Sequence, residues 1–161
     1  MQEDWNFNPG FTLVELLMVI GIVALLSGIV STSTSSLLPE YKLNSASRSL
    51  LSDFQRAKSR ALQNKERVVL DFNKTRDEYT VFVDRDRDYL LDGNEEELQE
   101  CELGKGLEIC DVEFSLGANK TGFNSRGLPA SNRFGHVRLK DRAGKEIEIV
   151  LSMSGRVRIE K

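Results

Sequence analysis

The chain has 161 residues, 22 Lys and Arg against 25 Asp and Glu, and a formal net charge of −3. Such a length suffices for one domain with its own core plus an appended segment, and so balanced a charge announces neither a nucleic-acid nor a membrane-surface partner. Two cysteines, Cys101 and Cys110, form no metal-ligand cluster and the single histidine, His136, has no companion in the sequence; nucleophilic catalysis and a zinc site both need more of these residue types, so the chain does not read as an enzyme.

Residues 1–10 hold Glu3 and Asp4 but no Lys or Arg, and residues 11–30 are apolar with one charge, Glu15. At ~1.5 Å per residue a helix of this length is about 30 Å long, roughly the hydrocarbon thickness of a bilayer. A carboxylate at the centre of that layer costs on the order of 2.5–3.5 kcal/mol, so something is expected to pair with it. A secretory signal peptide fits poorly, because it needs a basic start and a shorter apolar run. An ordinary membrane anchor fits the length but leaves Glu15 without a role.

The stretch Gly10-Phe11-Thr12-Leu13-Val14-Glu15 resembles the cleavage site of type IV prepilins and type II secretion pseudopilins. The resemblance implies cleavage by a prepilin peptidase between Gly10 and Phe11, on the cytoplasmic side of the membrane, and methylation of the new amine of Phe11. It also implies that Glu15 faces the N-terminal amine of a neighbouring subunit in the assembled fibre. Two buried charges then compensate each other, as an isolated helix cannot arrange. Under this reading residues 1–10 are a leader, 11–30 the transmembrane half of a long helix and 31–64 its amphipathic half, with 65–161 as a periplasmic head.

A serine and threonine run at 31–36 and Pro39 are expected to weaken or kink the helix locally. Beyond them Leu43, Ala46, Leu50, Phe54, Ala57 and Ala61 recur every three or four residues as one apolar stripe. Arg48, Asp53, Arg56, Lys58 and Arg60 lie mostly off it, and the helix is expected to run from Phe11 to about Gln63. The period then changes to two. Strands are expected at 67–72, 78–84, 98–103, 107–116, 136–142, 145–151 and 156–160, with a turn at 73–77. In the strand at 145–151, Ile147, Ile149 and Leu151 alternate with Glu146, Glu148 and Val150, the pattern of a half-buried strand in an antiparallel sheet.

Three features of the head invite function. In residues 84–95, Asp84, Asp86, Asp88, Asp92 and Glu95 occupy positions 1, 3, 5, 9 and 12 of an EF-hand-like calcium loop. Tyr89 stands where that loop needs glycine, and the alternative is a solvated hairpin loop. Cys101 and Cys110 enclose two glycines suited to a turn that folds two strands together, so a disulfide is one expectation and two separate thiols the other. Near the end, Gly155-Arg156-Val157-Arg158 places two arginines on one side of a strand and Val157 and Ile159 on the other. Lys161, Arg138 and Lys140 would add charge if their strands were adjacent.

Residues 123–129, the closing Gly155 to Ile159 and the helix segment from Ser47 to Leu62 narrow the resemblance to the GspH/FimT family of minor pseudopilins. The fold this implies is α+β and pilin-like: a long N-terminal transmembrane helix packed on an antiparallel β-sheet head. The function it implies is that of a structural subunit at or near the tip of a type II secretion pseudopilus or type IV pilus. Its partners would be other pilins, the peptidase, the inner membrane and the assembly platform there, with no cofactor required. The alternative is a DNA-binding minor pilin, because in the FimT branch an element like Arg156 and Arg158 contacts DNA. Such contacts would go to phosphates and weaken steeply with salt.

Overall fold

The computed structural model describes the chain from 10 to 160, apart from residue 116 and the side chains of 28–37. The expected leader lies outside these residues except for Gly10, as do the side chains of the serine and threonine run. One helix, α1, spans Leu13–Asn64 with Pro39 inside it. Its start is set by Thr12, whose Oγ1 accepts the Glu15 backbone N–H at 3.2 Å while its carbonyl accepts from Leu16. This is an N-cap, which satisfies a donor that the first turn leaves without a helical partner. The helix therefore begins two residues later than the apolar pattern alone indicates.

The chain divides into two compact units, residues 1–37 and 38–161. In the first, every large apolar side chain from 11 to 26 is exposed, Phe11 at 86%. Among the described residues no helix is long and apolar enough to cross a membrane; residues 28–30, the end of the expected span, have no described side chains.

The second unit holds eight strands: β1 Arg67–Asn73, β2 Glu78–Asp84, β3 Glu96–Glu102, β4 Leu107–Phe114, β5 Lys120–Phe123, β6 Gly135–Asp141, β7 Glu146–Leu151 and β8 Val157–Glu160. They form two four-stranded sheets with orders β3-β2-β1-β5 and β4-β6-β7-β8, antiparallel at every pairing. β5 has no counterpart in the sequence reading. It is four residues long, and a Cβ on its Gly122 would lie 2.3 Å from the Val68 carbonyl oxygen, so glycine is what lets it approach β1. The 74–77 turn links the sheets: Asp77 accepts the N–H of Leu103 through its carbonyl and that of Ile109 through its carboxylate.

Both sheets and the helix share one core. The whole stripe expected from helical spacing is in it, with Leu43, Leu50, Phe54, Ala57 and Ala61 buried and Ala46 packed beside them. Burying Leu43, Leu50 and Phe54 contributes about 1.5–3 kcal/mol each. Phe54 stacks on Phe72 at 6.1 Å between centroids and meets Phe123 edge-on at 6.3 Å, and Phe72 reaches Phe114 at 5.9 Å. Asp53, expected off the stripe, is only 2% exposed. The Tyr79 hydroxyl donates to its Oδ2 at 2.6 Å and Arg56 lies 3.3 Å from its Oδ1, which is how a carboxylate is tolerated there.

Candidate functional site

At the N-terminal end, Gly10, Phe11 and Glu15 are all exposed. Because the Thr12 hydroxyl bonds the backbone of Glu15, not its side chain, the carboxylate is left free to act outward. Among the described residues it has no ion-pair partner.

At the C-terminal end, Gly155 is buried with φ +73°, and a Cβ there would lie 2.2 Å from the Gly127 carbonyl oxygen. Its own carbonyl accepts from Lys58 Nζ at 2.8 Å. The glycine of this motif is thus fixed by the seam between the 152–156 turn, the 124–128 loop and α1. Val157 and Ile159 pack on the core, and Arg156 and Arg158 are exposed, as alternation requires. The guanidinium of Arg158 is paired with Glu160, whose carboxylate offsets the charge of one prong of the expected basic edge. Arg138 and Lys140 do not extend it either. They stand on β6, separated from β8 by β7, and they face Asp111, Glu146 and Glu108. Lys161 lies outside the described residues.

The acidic loop closes through its own amides. Asp84, Asp86, Asp88 and Asp92 accept backbone N–H groups from Arg87, Asp88, Leu90 and Asn94. Carboxylate oxygens of Asp84, Asp86 and Asp88 lie within 4.8 Å of one another, whereas Asp92 stands outside that group and Glu95 turns to the Arg85 N–H at 2.7 Å. Asp84 is buried and already holds Arg67 at 3.4 Å. Tyr89 adopts φ +68°, the backbone that a glycine would supply at this place. Its ring is buried, with Arg133 at 3.6 Å and Arg67 at 4.9 Å from the centroid, a cation–π arrangement that holds the tyrosine in that conformation.

The disulfide expectation is corrected. Cys101 lies on β3, opposite Tyr79, and Cys110 sits at the bulge of β4 in the other sheet, and both thiols are free. The chain between them passes from one sheet to the other instead of folding β3 on β4. Cys101 Sγ accepts from Gln99 at 2.7 Å and Cys110 Sγ donates to the Arg138 carbonyl at 3.3 Å. Burial pushes the Cys110 thiol above its ordinary pKa. His136, without a companion in sequence, has acids beside both ring nitrogens, and its hydrogen bond holds the Asp111 carboxyl below the usual carboxylate range. The signal for this cluster is the alternation of charge on β4, β6 and β7, legible only once their register is known.

Residues 46–155 match the family model of type II transport protein GspH, and residues 5–31 match the prokaryotic N-terminal methylation motif. The pilin-like protein PilA1 of Thermus thermophilus is 30% identical over 156 residues, which cover 94% of this chain and 97% of that protein. In fold, the chain is similar to the type IV minor pilin FimU of Pseudomonas aeruginosa, with TM-score 0.57 at 15% identity over 76% of this chain and 90% of FimU. It is also similar to the minor pseudopilin EpsH from the type 2 secretion system of Vibrio cholerae, with TM-score 0.57 at 13% identity over 74% of this chain and 96% of EpsH. With a capped N-terminal helix carrying the methylation motif and a two-sheet head matched over most of its length, the chain belongs to the GspH family of pilin-like proteins.

Proposed function

We propose that the chain works by assembly, as a minor pilin or pseudopilin. A prepilin peptidase cuts between Gly10 and Phe11 and Phe11 is methylated. The product waits as a single-pass inner-membrane protein with its head in the periplasm. The assembly platform then moves it to the tip, or close to it, of a pseudopilus or pilus, where it packs against other pilins. Catalysis forms no part of this role.

The observation that carries the proposal is Glu15, the one charge among the exposed apolar side chains of residues 11–26. An apolar surface of that extent needs a cover, first lipid and then neighbouring helices. The carboxylate costs free energy in lipid and recovers it beside the amine of a neighbouring subunit's Phe11. Thr12 supports the same reading, since it caps the helix from within the processed chain and its cap survives the cut.

The test has two readouts. Mass spectrometry of membrane-extracted protein is expected to give a chain beginning at methylated Phe11, and Gly10→Leu to leave the precursor intact. Glu15→Leu is expected to be cleaved and inserted normally but to enter the fibre poorly. Its helix start is untouched, because Thr12 bonds a backbone amide, so the defect reports the carboxylate. Normal incorporation of Glu15→Leu, or a mature end near residue 31, overturns the proposal.

A further inference from the structure

His136 lies on β6, the second strand of the β4-β6-β7-β8 sheet, with an acid-bearing strand on either side. Glu113 of β4 is directly opposite it, Asp111 is two residues before Glu113, and Glu148 of β7 is diagonal to it. Its Nε2 lies 3.1 Å from Asp111 Oδ2 and its Nδ1 lies 3.4 Å from Glu148 Oε1. A neutral imidazole carries one N–H. Nε2 shares a hydrogen bond with Asp111, so a metal ion taking that proton's place would lie between the same two atoms and leave the ring's N–H on Nδ1, facing Glu148. Arg138 stands at the edge of this cluster as an ion-pair neighbour of Asp111. Its Nη1 is 3.6 Å from Asp111 Oδ2, beyond hydrogen-bond reach, and its Nε points to Glu146 at 3.7 Å.

We propose that Asp111, Glu113 and His136 form a site for a divalent transition-metal ion of the zinc class. Oxygen and nitrogen ligand atoms of the three lie within 4.8 Å of one another. Two ligands at ~2.0–2.1 Å on a tetrahedral zinc stand about 3.3 Å apart, and Nε2 and Oδ2 already hold nearly that separation. Glu148 takes the other ring nitrogen, the outer partner that fixes the tautomer of a metal-bound histidine. An imidazole with two carboxylates selects zinc over calcium, which prefers an all-oxygen set. Three protein ligands leave one position for water. The ion would clamp β4 to β6 beside the bulge between Ile109 and Asp111, where the ladder is irregular. The site is independent of the assembly role and corrects the expectation that His136 has no companion.

The experiment uses the full chain, without an affinity tag and in detergent, with excess magnesium to occupy oxygen-only sites. Zinc affinity is read by competition with a chromophoric chelator, and cobalt is added to report geometry through its visible spectrum. One zinc per chain is expected, with a rise in Tm and a tetrahedral cobalt band. His136→Gln is expected to remove the band and weaken zinc at least about tenfold, and Glu148→Gln to weaken it about 10–100-fold. Glu113→Gln, at an exposed position, gives a second ligand variant whose metal-free Tm checks the fold. Arg158→Gln is the control and is expected to bind as the parent does. No zinc uptake by the parent chain, unchanged affinity in His136→Gln, or an equal loss in Arg158→Gln overturns the proposal.

Discussion

Replacing Tyr79 with phenylalanine removes one oxygen from a buried pair and should cost far more than its size suggests. The hydroxyl donates to Asp53 Oδ2 at 2.6 Å, and both residues are nearly sealed, at 3% and 2% exposure. Arg56 reaches only the other oxygen, and its own side chain is 70% exposed. The Cys101 thiol is 4.0 Å from Oδ2 and too weak a donor to substitute. A hydrogen bond to a charged group contributes about 1.5–3 kcal/mol, and its loss leaves a desolvated carboxylate. We take about 2 kcal/mol. Unfolding of residues 38–161, which carry the whole core, has an entropy of about 0.26 kcal/mol/K, so Tm should fall by about 8 °C. Thermal unfolding of that head followed by circular dichroism measures it. Adding Asp53→Asn should recover part of the loss, because the stranded charge goes with it. A second arm uses pH. Burial, and then the bond to Asp53, raises the pKa of the Tyr79 hydroxyl. The folded state therefore keeps a proton that the unfolded chain releases above about pH 10, and stability falls with rising pH there by about 1.4 kcal/mol per unit. Tyr79→Phe should lack that slope. A Tm change under about 2 °C with an unaltered alkaline limb refutes the reasoning.

Gly155→Ala should destabilise the head by about 2–4 kcal/mol in a urea titration, from strain at positive φ plus the clash with the Gly127 carbonyl; a near-neutral change would mean the seam yields. Thiol labelling of unreduced, denatured protein should find both Cys101 and Cys110 free, and no labelling would restore the bridge. Calcium titrated into the head should give no heat above dilution, because Glu95 is turned to the Arg85 N–H and Asp84 already holds Arg67; heat that Asp86→Ala abolishes would restore the calcium reading. Duplex DNA at low and moderate salt should show no binding that depends on Arg156 and Arg158, since Glu160 offsets the charge of one of them. Salt-sensitive binding lost in Arg156→Gln/Arg158→Gln would revive the uptake reading.

The apolar pattern was legible because it is local. Spacings of three and four from Leu43 to Ala61 name the helix face in the core, and alternation in Glu146–Leu151 names the inward residues of β7. Strand partners were not legible. Nothing near Cys101 or Cys110 says that their strands join different sheets, and nothing in Lys120–Phe123 marks a strand until the close approach of Val68 explains its glycine. The N-cap is legible in principle, as Thr12 three residues before Glu15, but a membrane-length apolar run does not itself mark where its helix begins.

The polar groups expose the limit more sharply, because a buried or flanked charge is explained only by its partner. Asp53 looks misplaced on its helix until Tyr79, 26 residues away, brings a hydroxyl. His136 looks solitary until β4 and β7 arrive with acids, 25 residues before it for Asp111 and 12 after for Glu148. In each case a long-range pairing turns an apparent fault into a constraint that favours one register of the sheets. Glu15 poses the same question one level up. Its backbone amide is satisfied by Thr12, yet its carboxylate has no ion-pair partner among the described residues. Under the proposed role that partner is the amine of the next subunit, so the charge selects the register of helices in a fibre as Asp53 selects the packing of the head. Register selection of this kind is the best-attested use of a charge that costs more to bury than it returns by itself.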